Sequence, residues 1–199
     1  TGAVSGDDSV GGLVGYNGLD IINSYSTGAV SGNSNLGGLV GDDWGTTDNS
    51  YWDTQTSGQI ASSGGTGLTT AQMKTQANFT SATAANGNVN PNWNFGATWR
   101  MYEGQTYPLL KSFLTPITVT ANNAPIKTYD GLAYSGGNGV SYSIASPTLL
   151  GTLGYSGTSQ GAINAGSYTI TPGGYYSNQQ GYDISYVNGS LTVNPAALT

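Results

Sequence analysis

Apolar residues in the first 52 positions come singly or in pairs: Val4, Val10, Leu13-Val14 and Ile21-Ile22, then Val30, Leu36 and Leu39-Val40. Glycine and small polar residues separate them. No helical stripe fits such a pattern, and the spacing predicts short strands joined by turns. One stretch of text is written nearly twice, TGAVSGDDSVGGLVG from Thr1 and TGAVSGNSNLGGLVG from Thr27, 26 residues apart. Residues 1–26 and 27–52 align without a gap at 14 identities. A fixed period of this length signals stacked units. GAVSG, VGGLVG and IINSYST read as three strands per unit, forming one coil of a parallel β-solenoid. Equivalent residues of successive coils then lie about 4.8 Å apart. Val4 is expected against Val30, Leu13 against Leu39, and Asn23 over Asn49 as an amide ladder. The glycines fall at corners, where a positive φ is expected. The second copy is less regular, as a terminal coil should be: Ile21-Ile22 become Thr47-Asp48, and Gly18 becomes Trp44.

The period is lost after residue 52. GLTTAQMKTQANF carries a capping box, with Thr69 as the cap and Gln72 three residues on, and predicts one short helix near 70–77. Trp52, Trp93, Phe95, Trp99, Tyr102 and Tyr107 surround it in sequence and are expected to plug the open end of the coils. From TPITVTA onward the text is strand after strand, with alternation in ITVTA and SYTIT. Asn188-Gly189 reads as a type I′ hairpin turn. Tyr168, Ile170, Ile184, Tyr186, Leu191 and Val193 are the expected core. LTPITVTA and VNPAALT align on Pro116 and Pro195, so Thr199 would begin a strand of a second, similar domain.

The resulting fold class is mostly β. Two coils at the C-terminal end of a parallel β-solenoid occupy 1–52. An aromatic-rich capping segment with one short helix spans 53–115, a small antiparallel β domain spans 116–194, and a further repeat starts over 195–199. The chain begins inside a repeat and is expected to be a section of a longer protein.

Composition narrows the chemistry. The 199 residues include neither cysteine nor histidine. That excludes disulfides, thiol nucleophiles, zinc–thiolate sites and a Ser-His-Asp triad. Net charge is −6, which argues against nucleic acid. Residues 1–53 hold seven aspartates and no lysine or arginine, and that asymmetry marks a boundary. The pairs Asp7-Asp8 and Asp42-Asp43 are the calcium candidates, since Ca²⁺ takes several oxygen ligands. Asp7-Asp8 align with Asn33-Ser34, so those carboxylates do not stack, and solvated surface charge is the expected reading; no cofactor is expected. Glycan cleavage wants two carboxylates about 5–10 Å apart across a cleft. Glu103 is the only glutamate, and the bases Lys74 and Arg100 lie outside the acidic coils, so no enzyme is expected. Trp44, on a coil turn where the first copy has glycine, is the candidate sugar platform, with Asn17, Asp42 and Asp43 beside it. Asn78-Phe79-Thr80 and Asn188-Gly189-Ser190 match the glycosylation triplet.

The motif TGAVSG…VGGLVG…NSYSTG resembles the GLUG repeat of bacterial filamentous haemagglutinin-like exoproteins. YWDTQTSGQ…GGTGLTTAQMK…W…YPLL resembles the end piece that follows such repeats. KTYDG…NAGSYTITPGG…GYDISYVNGSLTVNPA is similar to the MBG (YDG) domains of large bacterial adhesins. The resemblance implies a secreted or surface-held adhesin segment, acting as rod end and stalk spacer, with host or matrix glycans or surface proteins as partners. It supplies no catalytic residues, and because no apolar run approaches the length of a membrane span, no membrane insertion is expected. A carbohydrate-binding module is the alternative.

Overall fold

The computed structural model describes residues 2–197; Thr199, where a further strand is expected, lies outside that range. The chain forms two compact units, Thr1–Leu109 and Leu110–Thr199.

In the first unit, copy one supplies β1 (Val4–Ser5), β2 (Asp8–Gly11), β3 (Val14–Asn17), β4 (Asp20–Ile22) and β5 (Tyr25–Ser26). Copy two supplies β6 (Val30–Ser31), β7 (Ser34–Gly37), β8 (Val40–Asp43), β9 (Thr46–Asp48) and β10 (Tyr51–Asp53). Each strand of copy one pairs in parallel with its equivalent in copy two. The register follows the repeat: Val4 opposite Val30, Val14 opposite Val40, Ile21 opposite Thr47, Tyr25 opposite Tyr51.

Each copy therefore has five short strands where three were expected. VGGLVG bends at Gly12-Leu13, and IINSYST bends at Asn23-Ser24. The left-handed residues of the two copies are not glycines. They are Ser9 (φ 52°) and Asn23 (φ 49°), repeated at Asn35 and Asn49 (φ 49° each). Asparagine tolerates that region through local hydrogen bonding. The expected amide ladder is not formed through Asn23, whose buried side-chain oxygen accepts no hydrogen bond. The glycines serve close approach instead. A Cβ on Gly38 would lie 2.0 Å from the Trp52 ring, and one on Gly12 would lie 2.3 Å from the Gly38 carbonyl.

Residues 54–68 make a shortened third round on the far side of copy two. β11 (Thr66–Leu68) pairs in parallel with β10, Tyr51 opposite Thr66. Before it, Val30 N–H donates to Ser57 O (3.0 Å) and Gly38 N–H to Ala61 O (3.0 Å). The Ser62 hydroxyl oxygen accepts from the amides of both Leu39 (3.1 Å) and Val40 (2.8 Å). Copy two thus has a neighbour on both sides, and copy one on only one.

The helical stretch is two pieces, α1 (Thr70–Met73) and α2 (Ala77–Thr80). The Thr69–Gln72 capping box is formed in both directions. Continuation fails at Lys74, where the amides of Lys74 and Thr75 bond three residues back rather than four. The Glu103 carboxylate captures the Gln76 amide (3.0 Å), and Asn78 Nδ2 donates to Gln72 O (2.9 Å). The aromatic core beside these helices holds Tyr51, Phe79 and Trp93, with Tyr25, Trp99 and Tyr107 at its margin. Trp93 meets both Tyr25 (ring centroids 6.3 Å apart) and Tyr51 (6.0 Å), the equivalent residues of the two copies. The aromatics therefore flank the strands laterally, and residues 57–68 cover the edge of copy two. Trp52 alone enters the coil interior, packing with Ile21, Leu39 and Val40. Its equivalent in copy one is Ser26, opposite it in register. Two-residue strands β12 (Trp99–Arg100) and β13 (Leu109–Leu110) follow.

The second unit has two sheets. β14 (Thr115–Ala121) lies between β16 (Val140–Tyr142) and β19 (Tyr182–Val187). β15 (Lys127–Thr128), β20 (Gly189–Asn194), β18 (Gly166–Tyr176) and β17 (Leu150–Ser156) form the other, in that order. Alternation sets the faces: Ile117, Val119 and Ala121 of β14 and Leu191 and Val193 of β20 point inward. Ala121 packs with Ile170, Leu191 and Val193 across the sheets. Of the expected core, Ile170, Ile184, Leu191 and Val193 are buried, while Tyr168 and Tyr186 are half-buried. The unit is mixed rather than purely antiparallel, because β14 pairs in parallel with β19 and β15 with β20. Asn188-Gly189 makes no hairpin, since β19 and β20 belong to different sheets. Gly189 allows close passage there: a Cβ would stand 2.7 Å from the Ala121 carbonyl.

Candidate functional site

Of the candidate residues, Asp7 and Asp8 open the β2 turn, and Asn17, Asp42, Asp43 and Trp44 share the corner after β3 and β8. The two acidic pairs are not brought together. Among the described residues no group of three or more carboxylates could hold a metal ion. Asp7 accepts from Asn33 Nδ2 (2.5 Å), and Asp8 from the Ser34 hydroxyl (2.6 Å) and Asn35 Nδ2 (2.9 Å). The Ser34 hydroxyl and the Ser9 amide, against an opposing effect of desolvation and with a lesser pull from the Asn35 side chain, hold the Asp8 carboxyl below its ordinary range. Asp43 accepts from Asn17 Nδ2 (2.7 Å), the Gly45 amide (3.2 Å) and the Thr47 hydroxyl (2.7 Å). Burial pushes Asp43 upward, and these three donors together outweigh it, leaving the carboxyl lowered.

Around that corner the apolar side chains are open. Trp44 is 76% exposed, Leu19 81% and Tyr16 60%. Backbone bonds place them on one turn: Trp44 N–H donates to Asn17 O and Thr46 N–H to Leu19 O, both 2.8 Å. Tyr16 faces Asp42 in register. The arrangement can offer flat apolar surface beside acceptor groups already engaged by the protein.

Asp53 was not singled out in the sequence, yet its carboxylate accepts four hydrogen bonds. It is fully buried. Its Oδ1 accepts from the amides of Gln55 (2.8 Å) and Thr56 (3.1 Å), and its Oδ2 from the hydroxyls of Thr70 and Tyr107, both 2.7 Å. Burial raises its pKa, and the four donors lower it further than burial raises it. The DTQT text after Trp52 is a turn signal, and only the fold brings Thr70 and Tyr107 to it. This is a fastening and offers no open coordination.

Residues 6–31 match the family described as the GLUG motif. The match spans one period, from the turn before β2 to the end of β6. No curated protein and no solved structure matches the chain. No helix among the described residues is long and apolar enough to cross a membrane.

In the second unit, a cleft of about 300 Å³ is lined by Thr115, Thr148, Leu150, Asn178, Gln180 and Tyr182, among others, all uncharged. The potential glycosylation residue Asn78 is buried, donating to Gln72 O and accepting from the Thr83 hydroxyl.

Proposed function

We propose that this chain is a structural segment of a secreted or surface-held bacterial adhesin of the filamentous haemagglutinin-like kind. Residues 2–68 are the closing coils of a parallel β-solenoid, and the second unit is an MBG-like spacer. The segment bears load and spaces other parts, and it catalyses no reaction. The observation that carries this reading is the unbroken 26-residue register of parallel strand pairs in the region that matches the GLUG motif. In-register ladders and side chains bridging successive copies suit a rod. Force spectroscopy, with the chain held at its two ends, tests it. Discrete unfolding peaks are expected from both units, and extension of either without resolvable force would overturn the reading. Release of reducing ends or unsaturated uronates from polysaccharides would overturn the non-catalytic part.

A second reading rests on the exposed corner of Tyr16, Leu19 and Trp44. There the segment binds neutral host or matrix glycans by stacking. A glycan array should then show signal that Trp44→Ala removes. Absence of signal from the unaltered protein leaves the structural reading alone.

A further inference from the structure

The differences between the two copies follow a rule. Where copy one has an aspartate, copy two has a hydrogen-bond donor in register: Asp7 with Asn33, Asp8 with Ser34, Asp20 with Thr46. The converse holds for Asn17, which donates to Asp43. Asp42 faces Tyr16 and Asp48 faces Ile22. Among the described residues no carboxylate lies over a carboxylate in the ladders, and like charges at that spacing repel. Both orders occur, acid first at three positions and donor first at one, so a carboxylate is satisfied from either side.

Copy one also has an unused side. β1, β2, β3 and β4 each pair only with copy two. Leu13 is 42% exposed, while its equivalent Leu39, with a neighbour above and below, is 0% exposed. Asp7, Asp8 and Asp20 bond to copy two through Oδ1 alone.

We propose that this uncovered side is a docking edge for a further unit of the same 26-residue kind, and that Asp7, Asp8 and Asp20 select which unit docks. The accepted unit carries amide or hydroxyl donors at the three facing positions, and a unit with carboxylates there is rejected. The inference rests on the solenoid reading above and adds a rule of partner choice to it.

Three extended chains test it, each with one added unit before the first residue. The first adds residues 27–52, which present Asn33, Ser34 and Thr46 to the three aspartates. The second adds residues 1–26 unchanged. The third adds residues 1–26 with Asp7→Asn, Asp8→Ser and Asp20→Thr in the added unit only. The chain has no cysteine, so Leu13→Cys in the original copy gives a single thiol whose alkylation rate reports coverage of the edge. The first and third chains should slow alkylation roughly tenfold against the unextended Leu13→Cys protein, and the second should not. Equal protection in all three would overturn the selection rule and leave the stacking reading intact. Protection in none, with circular dichroism showing the original fold retained, would overturn stacking itself.

Discussion

The Tyr107 hydroxyl donates to Asp53 Oδ2 across 2.7 Å, joining residues 54 positions apart in the chain. The same oxygen takes the Thr70 hydroxyl, so one buried carboxylate fastens the last strand of the second copy to the helical segment and to the chain beyond it. Asp53→Ala leaves four donors without an acceptor. It is expected to destabilise the first unit by about 3 kcal/mol, and Tyr107→Phe by about 1–2 kcal/mol. Denaturant titration followed by tryptophan fluorescence measures both, and near-zero changes would show that water replaces the carboxylate.

The same group predicts an acid response. The folded-state pKa of Asp53 is lowered below the ordinary aspartate value of 3.8. Its contribution is therefore complete above 3.8 and is lost as pH falls from there through the lowered native value. Stability against pH should fall below pH 4 in the unaltered protein, and the fall should be shallower in Asp53→Ala. Parallel curves would place the acid sensitivity in other carboxylates.

Tyrosines set the alkaline limit. Burial pushes Tyr51 up to about 12; burial and then Tyr107 do the same for Tyr25; burial and then Asp53 do it for Tyr107. A raised native pKa keeps the phenol protonated while the unfolded chain ionises near 10.0. Stability is thus complete below pH 10 and is lost as pH rises through 12. The Tyr51 hydroxyl is buried with no hydrogen-bond partner. Tyr51→Phe should accordingly raise stability at pH 7 by about 1 kcal/mol and flatten the alkaline loss. A destabilised Tyr51→Phe would show that the hydroxyl has a partner in solution.

The tryptophans divide sharply. Trp93 is buried, stacks on Trp99 at 4.6 Å and donates its indole N–H to Asn49 O (2.9 Å). Trp93→Ala should cost about 3–5 kcal/mol. Trp44→Ala, at an open corner, should change stability by less than about 0.5 kcal/mol. A large effect at Trp44 would show that the corner is packed in solution and unavailable to a glycan.

What could be read from sequence was what repeats. The 26-residue spacing placed Val4 opposite Val30, and the strand text after residue 116 placed Ile170, Ile184, Leu191 and Val193 inside. Both are local or periodic signals. The hidden parts depend on contacts between unlike segments. Nothing in YWDTQ announces that Thr70 and Tyr107 converge on Asp53. The Asn188-Gly189 signal was overridden because β19 found β14, which starts far earlier in the chain, as its parallel neighbour. The candidate corner was legible only in part: Trp44 stood out against Gly18, whereas Tyr16 and Leu19 gave no sign that their side chains would stay open. Glycine carried two meanings, turn and closeness, which composition does not separate.

Closeness at Gly38 supplies the most decisive packing test. Its missing side chain makes room for the Trp52 indole, and a Cβ there would fall 2.0 Å from Cδ1 and 2.2 Å from Nε1. The ring cannot yield outward, because Trp52 is itself wedged among Ile21, Leu39 and Val40 and donates to Gln59 O (3.2 Å). Overpacking of a rigid ring against backbone costs about 1–3 kcal/mol or more. Gly38→Ala is therefore expected to lower the melting temperature of the first unit clearly. Gly154→Ala, where a Cβ meets nothing within 4 Å, should leave the second unit unchanged. Combining Gly38→Ala with Trp52→Leu should recover part of the loss, since the smaller branched side chain vacates the space the methyl needs. Absence of recovery would place the strain in the backbone rather than in the indole.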